Sequence, residues 1–112
     1  MTIEDIQTRA VQIRAKYDAL NTKHDVTWKE EDFMAGFVGD VGDLSKLIMA
    51  KRGLRGVASD TSLDAKLAHE LADCLWSICV LADKYGVDLA TEFQKTMDGL
   101  DAKITAELAN EG

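Results

Sequence analysis

The chain has 112 residues, 46% of them hydrophobic, which is enough to build one core, so we expect a single domain over residues 1–112. Thirteen basic and twenty acidic side chains give a net charge of −7, which argues against nucleic acid or an anionic membrane surface as a partner. The sequence has no proline and few aromatic residues, so it favours an all-α fold.

Two helices are predicted in the first half of the chain. Apolar residues recur at spacings of three and four over residues 2–22, which is typical of a helix that packs on one face. Thr27 and Glu30 have the spacing of a capping box, so a second helix is expected to start there. It should continue to about Arg52, because Gly53 is a natural helix end.

Two more helices are predicted in the second half. Asp60 or Thr61 can cap a third helix that continues to Tyr85, where a glycine follows. Asp88 can cap a fourth helix that runs to about Leu108, and the last four residues are expected to fray. The chain is therefore expected to form a four-helix all-α bundle.

The third predicted helix is apolar on nearly all sides over residues 67–81. Such a helix is either central in its fold or covered by a partner subunit, and we expect Trp76 to pack at a subunit boundary. Cys74 and Cys79 lie about 140° apart around this helix, so they cannot pair within it and are interpreted as buried thiols.

Two pairs of acidic residues stand inside the two most apolar segments. Asp40 and Asp43 belong to the second predicted helix, and Glu70 and Asp73 belong to the third. Residues three apart share a helix face, so the pairs can face each other if the helices are antiparallel neighbours. Four converging carboxylates repel one another unless a cation binds them, and hard oxygen ligands suit Mg²⁺ or Mn²⁺. The pattern therefore predicts a divalent metal site.

Solvated surface charge is the alternative interpretation of each pair. Acidic residues three apart occur by chance in helices rich in Asp and Glu, and Asp98 and Asp101 are interpreted in that way. The two predicted metal-binding pairs differ because apolar residues flank them. His69 adjoins Glu70 in the sequence but points about 100° away around the helix, so we do not expect these two residues to share a metal.

The order of these motifs resembles the MazG-like all-α nucleoside triphosphate pyrophosphohydrolases, including the small dCTP- and dUTP-cleaving branches. The segment GDVGDL is similar to their G-E-x-G-E-L motif, and ELADCL is similar to E-L-x-D-v-L. The resemblance covers residues 28–103. The matching positions are Gly39, Gly42 and Leu44, then Glu70, Leu71, Asp73 and Leu75, and last Gly86, Val87, Asp88 and Leu89.

The resemblance implies an enzyme that cleaves ribo- or deoxyribonucleoside triphosphates between the α and β phosphates, giving the monophosphate and pyrophosphate, in nucleotide-pool housekeeping. Asp40, Asp43, Glu70 and Asp73 would bind Mg²⁺, with Mn²⁺ as a substitute. Asp40 or Asp43 would also act as the catalytic base. A MazG-like four-helix subunit is further expected to be completed by dimerisation or tetramerisation.

The first motif departs from the family at two positions. Asp40 and Asp43 stand where the family has glutamates, and a side chain one methylene shorter reaches about an ångström less far. Either the helices approach more closely, a water completes the metal shell, or the site has lost activity. A catalytically silent helical oligomer that binds nucleotide or a protein partner is therefore the alternative function.

Four residues are candidates for substrate binding by the same resemblance. Lys51 stands where relatives often have a basic residue that could contact the triphosphate, and Lys103 is retained from a later family motif. Trp28 and Phe37 precede the first motif, where relatives have aromatic residues at the base pocket, although Phe37 also suits the core. The amphipathic, acidic start is unlike a signal peptide, so a cytoplasmic location is expected.

Overall fold

The computed structural model describes residues 1–53 and 62–111, and these residues form four helices without any strand, which confirms the all-α expectation. The predicted caps Asp60 and Thr61 lie outside the described residues. The helices are α1 (Ile3–Lys23), α2 (Glu30–Lys51), α3 (Leu63–Lys84) and α4 (Leu89–Glu111).

Local hydrogen bonds explain where several helices begin and end. The Thr2 hydroxyl accepts from the Asp5 N–H at 3.1 Å, and the Asp5 carboxylate accepts from the Thr2 N–H at 2.9 Å, so α1 begins with a capping box. Gly86 adopts φ +65° after α3, a left-handed conformation that glycine favours. The Asp88 carboxylate then accepts from the Thr91 N–H at 3.2 Å, which confirms Asp88 as the cap of α4.

Two predicted helix ends are wrong. The capping box of Thr27 and Glu30 does not form, and α2 instead begins at Glu30 because the Asp32 carboxylate accepts from the Lys29 N–H at 2.8 Å. The fourth helix does not fray after Leu108 but continues to Glu111, since residues 109–111 contain no glycine or proline.

Helices α2 and α3 are antiparallel neighbours. Near one end of the pair, the Glu30 carboxylate lies 3.9 Å from the Lys84 ammonium. At the other end, Lys51 forms an ion pair with Asp64. Because the first residues of α2 meet the last residues of α3 and the reverse, the middle of α2 faces the middle of α3. The acidic pairs lie at that level.

The aromatic part of the core joins α1, α2 and α3. The Trp76 ring lies 6.2 Å from the buried Phe33 ring and 5.9 Å from the Tyr17 ring, centroid to centroid. The Trp76 indole N–H donates to the Ala10 carbonyl at 3.2 Å. Trp76 therefore makes contacts inside the chain, and its place at a subunit boundary stays a prediction.

The described chain is extended and leaves much apolar surface uncovered. Its Cα radius of gyration is 18.1 Å, whereas a compact chain of this length has about 13 Å. Every residue over 91–110 of α4 is exposed. Cys74 and Cys79 are buried free thiols, as predicted, but Leu71 on the same helix α3 is 53% exposed, so α3 is not covered on all sides. No described helix combines the length and apolar character that a membrane span requires.

Candidate metal centre and adjoining groove

Three of the four predicted metal ligands come together between α2 and α3. Asp40, Asp43 and Glu70 each offer a carboxylate oxygen, and these oxygens lie within 4.8 Å of one another. The two aspartates share one face of α2 because they are three residues apart, and the antiparallel helix brings Glu70 opposite them. Ligand oxygens at these separations can all contact one hard cation at about 2.0–2.6 Å. We call these three residues the acidic triad.

The acidic triad has no positively charged partner among the described residues. None of its carboxylates forms an ion pair or a hydrogen bond in the described part of the chain, and Glu70 Oε2 is both shielded from solvent and unpartnered. A shielded carboxylate oxygen without a partner destabilises a fold, since it has lost its hydration. A bound cation would replace that hydration, so the donor set fits a metal.

Burial and mutual repulsion both act on the protonation of this centre. Burial raises the pKa of Asp40 above its ordinary value, and the charges of Asp73 and Asp43 raise it further, while His69 opposes them. Burial likewise raises the pKa of Glu70, with Asp40 as the next contributor. Both raised pKa values show that the negative charge of these carboxylates is unfavourable unless a cation or a proton neutralises it.

Asp73 is the predicted ligand that stays outside the acidic triad. Its carboxylate Oδ2 lies 3.1 Å from Nε2 of His69, one helical turn earlier on α3. Its charge nevertheless raises the pKa of both Asp40 and Glu70, so the carboxylate is close to the triad. Asp73 therefore lies at the edge of the centre and is paired with a histidine.

Cys74 stands beside the acidic triad but does not join it. Burial raises the pKa of its thiol, and the charges of Asp40, Glu70 and Asp73 add to the effect. A thiol that stays protonated is a poor metal ligand, because metals bind the thiolate. The centre therefore offers oxygen ligands alone, which favours Mg²⁺ or Mn²⁺ over Zn²⁺.

A groove of about 630 Å³ opens next to the acidic triad between α1, α2 and α3. Its lining includes the carboxylates of Asp40 and Asp73, and the rest is mainly apolar and aromatic. It is lined by Ile13, Tyr17 and Asn21 of α1, by Trp28, Phe33 and Asp40, and by His69, Ala72, Asp73 and Trp76 of α3.

The aromatic wall of the groove is held in place by cations behind it. Trp28 meets Phe33 edge to face with 5.3 Å between ring centroids. The Lys84 ammonium lies 5.1 Å from the Phe33 centroid, and the Arg14 guanidinium lies 5.7 Å from it. Cations at these distances attract the ring face, so they help to fix the position of Phe33.

The predicted substrate-binding residues are only partly gathered at this site. Trp28 lines the groove, whereas Phe37, Lys51 and Lys103 are not among its lining residues. Lys51 is paired with Asp64 and is eight residues after the triad in α2, about 12 Å along the helix axis. Lys103 is exposed on α4. A single chain therefore presents the groove without these three side chains.

Sequence reasoning missed the contribution of α1 to the groove. Ile13, Tyr17 and Asn21 follow one another at intervals of four residues, so they lie along one stripe of α1. The apolar members of that stripe were interpreted only as packing residues. The signal that could have been used is the polar Asn21 at the end of an otherwise apolar stripe.

Comparisons of the chain with protein-family models, with curated proteins and with solved structures found no match.

Proposed function

We propose that this protein is a MazG-like, Mg²⁺-dependent nucleoside triphosphate pyrophosphohydrolase, which converts a ribo- or deoxyribonucleoside triphosphate into the monophosphate and pyrophosphate. The observation that carries the proposal is the convergence of the Asp40, Asp43 and Glu70 oxygens within 4.8 Å, beside an aromatic groove that Asp40 also lines. A nucleoside triphosphate matches these two parts of the site, because it has an aromatic base and a polyphosphate that binds a divalent cation.

The size and lining of the groove support binding of the nucleobase there. Its volume of about 630 Å³ falls in the range of small-molecule sites. Tyr17, Trp28, Phe33 and Trp76 offer aromatic surface, and stacking of a base on an aromatic side chain contributes about 1–3 kcal/mol. The base would therefore lie among these rings, with its phosphates directed toward Asp40.

The acidic triad supports binding of the triphosphate through a divalent cation. A chain with a net charge of −7 repels a free triphosphate, so a cation must join the two. Asp40, Asp43 and Glu70 would hold Mg²⁺, which when bound neutralises phosphate oxygens and acidifies a coordinated water. Asp40 or Asp43 would accept the proton of the attacking water at a carboxylate oxygen that does not contact the ion.

We further propose that the enzyme is a homodimer or homotetramer. The chain exposes 8232 Å², whereas a compact monomer of 12.3 kDa exposes about 6100 Å². Part of the excess is apolar, because Leu71, Leu75 and Ile78 on one side of α3 are all at least 40% exposed. A second copy packed on α3 would cover them, and could supply the basic residues that one chain does not place at the groove.

A catalytically silent oligomer is the second candidate function. The exposed apolar stripe of α4 favours it, because such a stripe suits binding to another chain whether or not the acidic triad hydrolyses anything. The stripe consists of Phe93, Met97, Leu100, Ile104 and Leu108.

The two candidates are separated by incubating the protein with each common ribo- and deoxyribonucleoside triphosphate in MgCl₂ and measuring pyrophosphate and nucleoside monophosphate. The proposal predicts equal amounts of the two products from at least one substrate, and loss of both with EDTA. Orthophosphate in place of pyrophosphate would contradict the proposed bond cleavage. No product from any substrate, together with no binding of Mg²⁺ or Mn²⁺, would favour the silent oligomer.

A further inference from the structure

We propose that Lys46 and Lys66 form a binding site for the terminal phosphates of the triphosphate, which are the two that leave as pyrophosphate. This inference rests on the proposed function, because it adds a phosphate site next to the same metal centre. It is carried by the arrangement of charge along α2 and α3: each helix places a lysine about one turn from the acidic triad, and both lysines lie toward the same end of the helix pair.

The register of α2 and α3 brings the two lysines to the same level, although they are far apart in the sequence. At that end of the helix pair, Lys51 of α2 is paired with Asp64 of α3. Lys46 lies between the acidic triad and Lys51 along α2. Lys66 lies between Asp64 and the acidic triad along α3. Both lysines therefore project from the stretch between the triad and this ion pair.

Each lysine is also a neighbour of a triad carboxylate on its own helix. Lys46 follows Asp43 by three residues, and Lys66 precedes Glu70 by four. The helical rise places them about 4.5 and 6 Å beyond these acids along the axis. A side chain added at Gly42, four residues before Lys46, would meet no neighbouring group within 4 Å, so this side of α2 is open. The flexible stem of lysine can therefore bring an ammonium group to a phosphate that contacts the metal.

The acidic triad does not use the charge of these lysines. Lys46 and Lys66 are both exposed. Lys46 has no ion-pair or hydrogen-bond partner among the described residues. His69, and neither lysine, is the positive group that opposes the raised pKa values of Asp40 and Glu70. The ammonium group of Lys46 is therefore free to bind an anion that the metal holds beside it.

In the other direction along the two helices, aromatic residues take the place of cations. Residues 30–42 of α2 and residues 71–83 of α3 contain no lysine or arginine. These stretches carry Phe33 and Trp76 of the groove, and Lys84 after them is held in an ion pair. A triphosphate with its base among the rings would therefore extend over the triad, with its terminal phosphates toward the two lysines.

Replacing either lysine by methionine should weaken the binding of inorganic pyrophosphate about tenfold, and replacing both should weaken it about 100-fold, because each replacement removes one charged hydrogen bond to a phosphate. The KM for the triphosphate should rise by similar factors. The affinities for Mn²⁺ alone and for a nucleoside monophosphate should not fall. Methionine suits a helix and both positions are exposed, so the variants should melt at the temperature of the parent protein.

The experiment is calorimetric titration of the full chain with inorganic pyrophosphate in excess MgCl₂. The proteins are the parent, Lys46→Met, Lys66→Met and the double variant. Lys95→Met is the matched control for the loss of one positive charge, because Lys95 is exposed on α4. Lys46→Arg is the control that keeps the charge. Titration with a nucleoside monophosphate in the same buffer measures the other end of the site.

The inference predicts weaker pyrophosphate binding in Lys46→Met and Lys66→Met, parent-like binding in Lys95→Met and Lys46→Arg, and unchanged binding of the monophosphate in all variants. Unchanged pyrophosphate affinity in the double variant overturns it, and so does a parent protein that binds no pyrophosphate. An equal loss in Lys95→Met also overturns it, because the total charge would then explain the effect.

The failure of the proposed function would give a different result. A parent protein that binds pyrophosphate through the two lysines, but releases none from any triphosphate, refutes the hydrolase and supports the phosphate site. A parent protein that hydrolyses a triphosphate, and whose double variant keeps the parent KM and pyrophosphate affinity, refutes the phosphate site and leaves the hydrolase intact.

Discussion

The two ends of the α2–α3 pair differ from its middle in the way that charge is arranged. Near one end Glu30 faces Lys84, and at the other end Lys51 faces Asp64, so opposite charges meet. In the middle the acidic triad places like charges within 4.8 Å, with no cation from the described residues beside them. Opposite charges are therefore paired at both ends of α2 and α3, whereas like charges are adjacent in the middle.

This contrast supports the proposed metal site in the middle of the pair. Pairing at the ends helps to fix the antiparallel register, and that register forces the carboxylates of the middle against one another. A lysine in place of Glu70 would have relieved the repulsion if stability alone had been at stake. Instead, Asp40 and Glu70 are partly buried next to the exposed Asp43, which supports the proposed metal site.

The largest expected effect comes from removing a member of the acidic triad. Glu70→Gln and Asp43→Asn should each reduce pyrophosphate release by about 100-fold or more, because each removes a charged oxygen ligand while keeping the side-chain shape. The measurement is the initial rate with saturating MgCl₂ and the best triphosphate.

The matched control for these variants is the pair Asp98→Asn and Asp101→Asn, which has the same three-residue spacing on the exposed helix α4. Its rate should equal that of the parent protein. If the α4 variants lost as much of the rate of pyrophosphate release as Glu70→Gln and Asp43→Asn, the acidic triad would not be the catalytic metal site.

A divalent cation should stabilise the middle of the pair and leave the ends unaffected. At a Mn²⁺ concentration of 100 times Kd, binding to the native state alone should raise the Tm by about 10 °C at neutral pH. The rise should vanish in Glu70→Gln and persist in Lys51→Met, as measured by thermal melting with and without the ion. A rise that survives the loss of Glu70 would locate the binding site elsewhere.

The metal-free protein should gain stability on mild acidification. The pKa values of Asp40 and Glu70 are raised in the folded state, so their contribution favours folding when both are protonated and is lost as the pH rises through those raised values. Thermal melting of the parent protein in EDTA, at a series of pH values that spans the raised pKa values of Asp40 and Glu70, should show this loss of stability. Asp40→Asn with Glu70→Gln should remove this part of the pH dependence, whereas Asp101→Asn should keep it.

The smallest effects are expected at the paired ends, and they should be unequal. Lys84 is only 9% exposed and lies over the Phe33 ring, so Lys84→Met should lower the free energy of unfolding by about 1–2 kcal/mol. The Lys51 side chain is 50% exposed and its partner Asp64 is more exposed still, so Lys51→Met should cost less than about 0.5 kcal/mol. Urea unfolding measures both, and equal costs would contradict the distinction.

The course of the four helices could be predicted from the sequence because the signals that determine it are local. The apolar spacing of α1, the Asp88 cap and the glycine after α3 all act within a few residues. The start of α2 was predicted incorrectly for the same reason: Asp32 competes with Glu30 for the capping role, and spacing alone does not show which carboxylate reaches a backbone N–H.

The acidic triad could be predicted, and the groove could not. Spacing along each helix places Asp40 beside Asp43, and antiparallel packing then brings Glu70 opposite them. The groove depends instead on how α1 lies against α3, which sets Tyr17 near Trp76, and no local pattern specifies that contact. The pairing of Asp73 with His69 depends on side-chain rotamers, which the sequence does not reveal.

Anomalous scattering from crystals soaked in MnCl₂ would locate a divalent cation held together by Asp40, Asp43 and Glu70. We expect a strong manganese peak within coordination distance of all three carboxylates. Manganese bound elsewhere, or these three side chains turned apart into solvent under the same conditions, would contradict the proposed metal site.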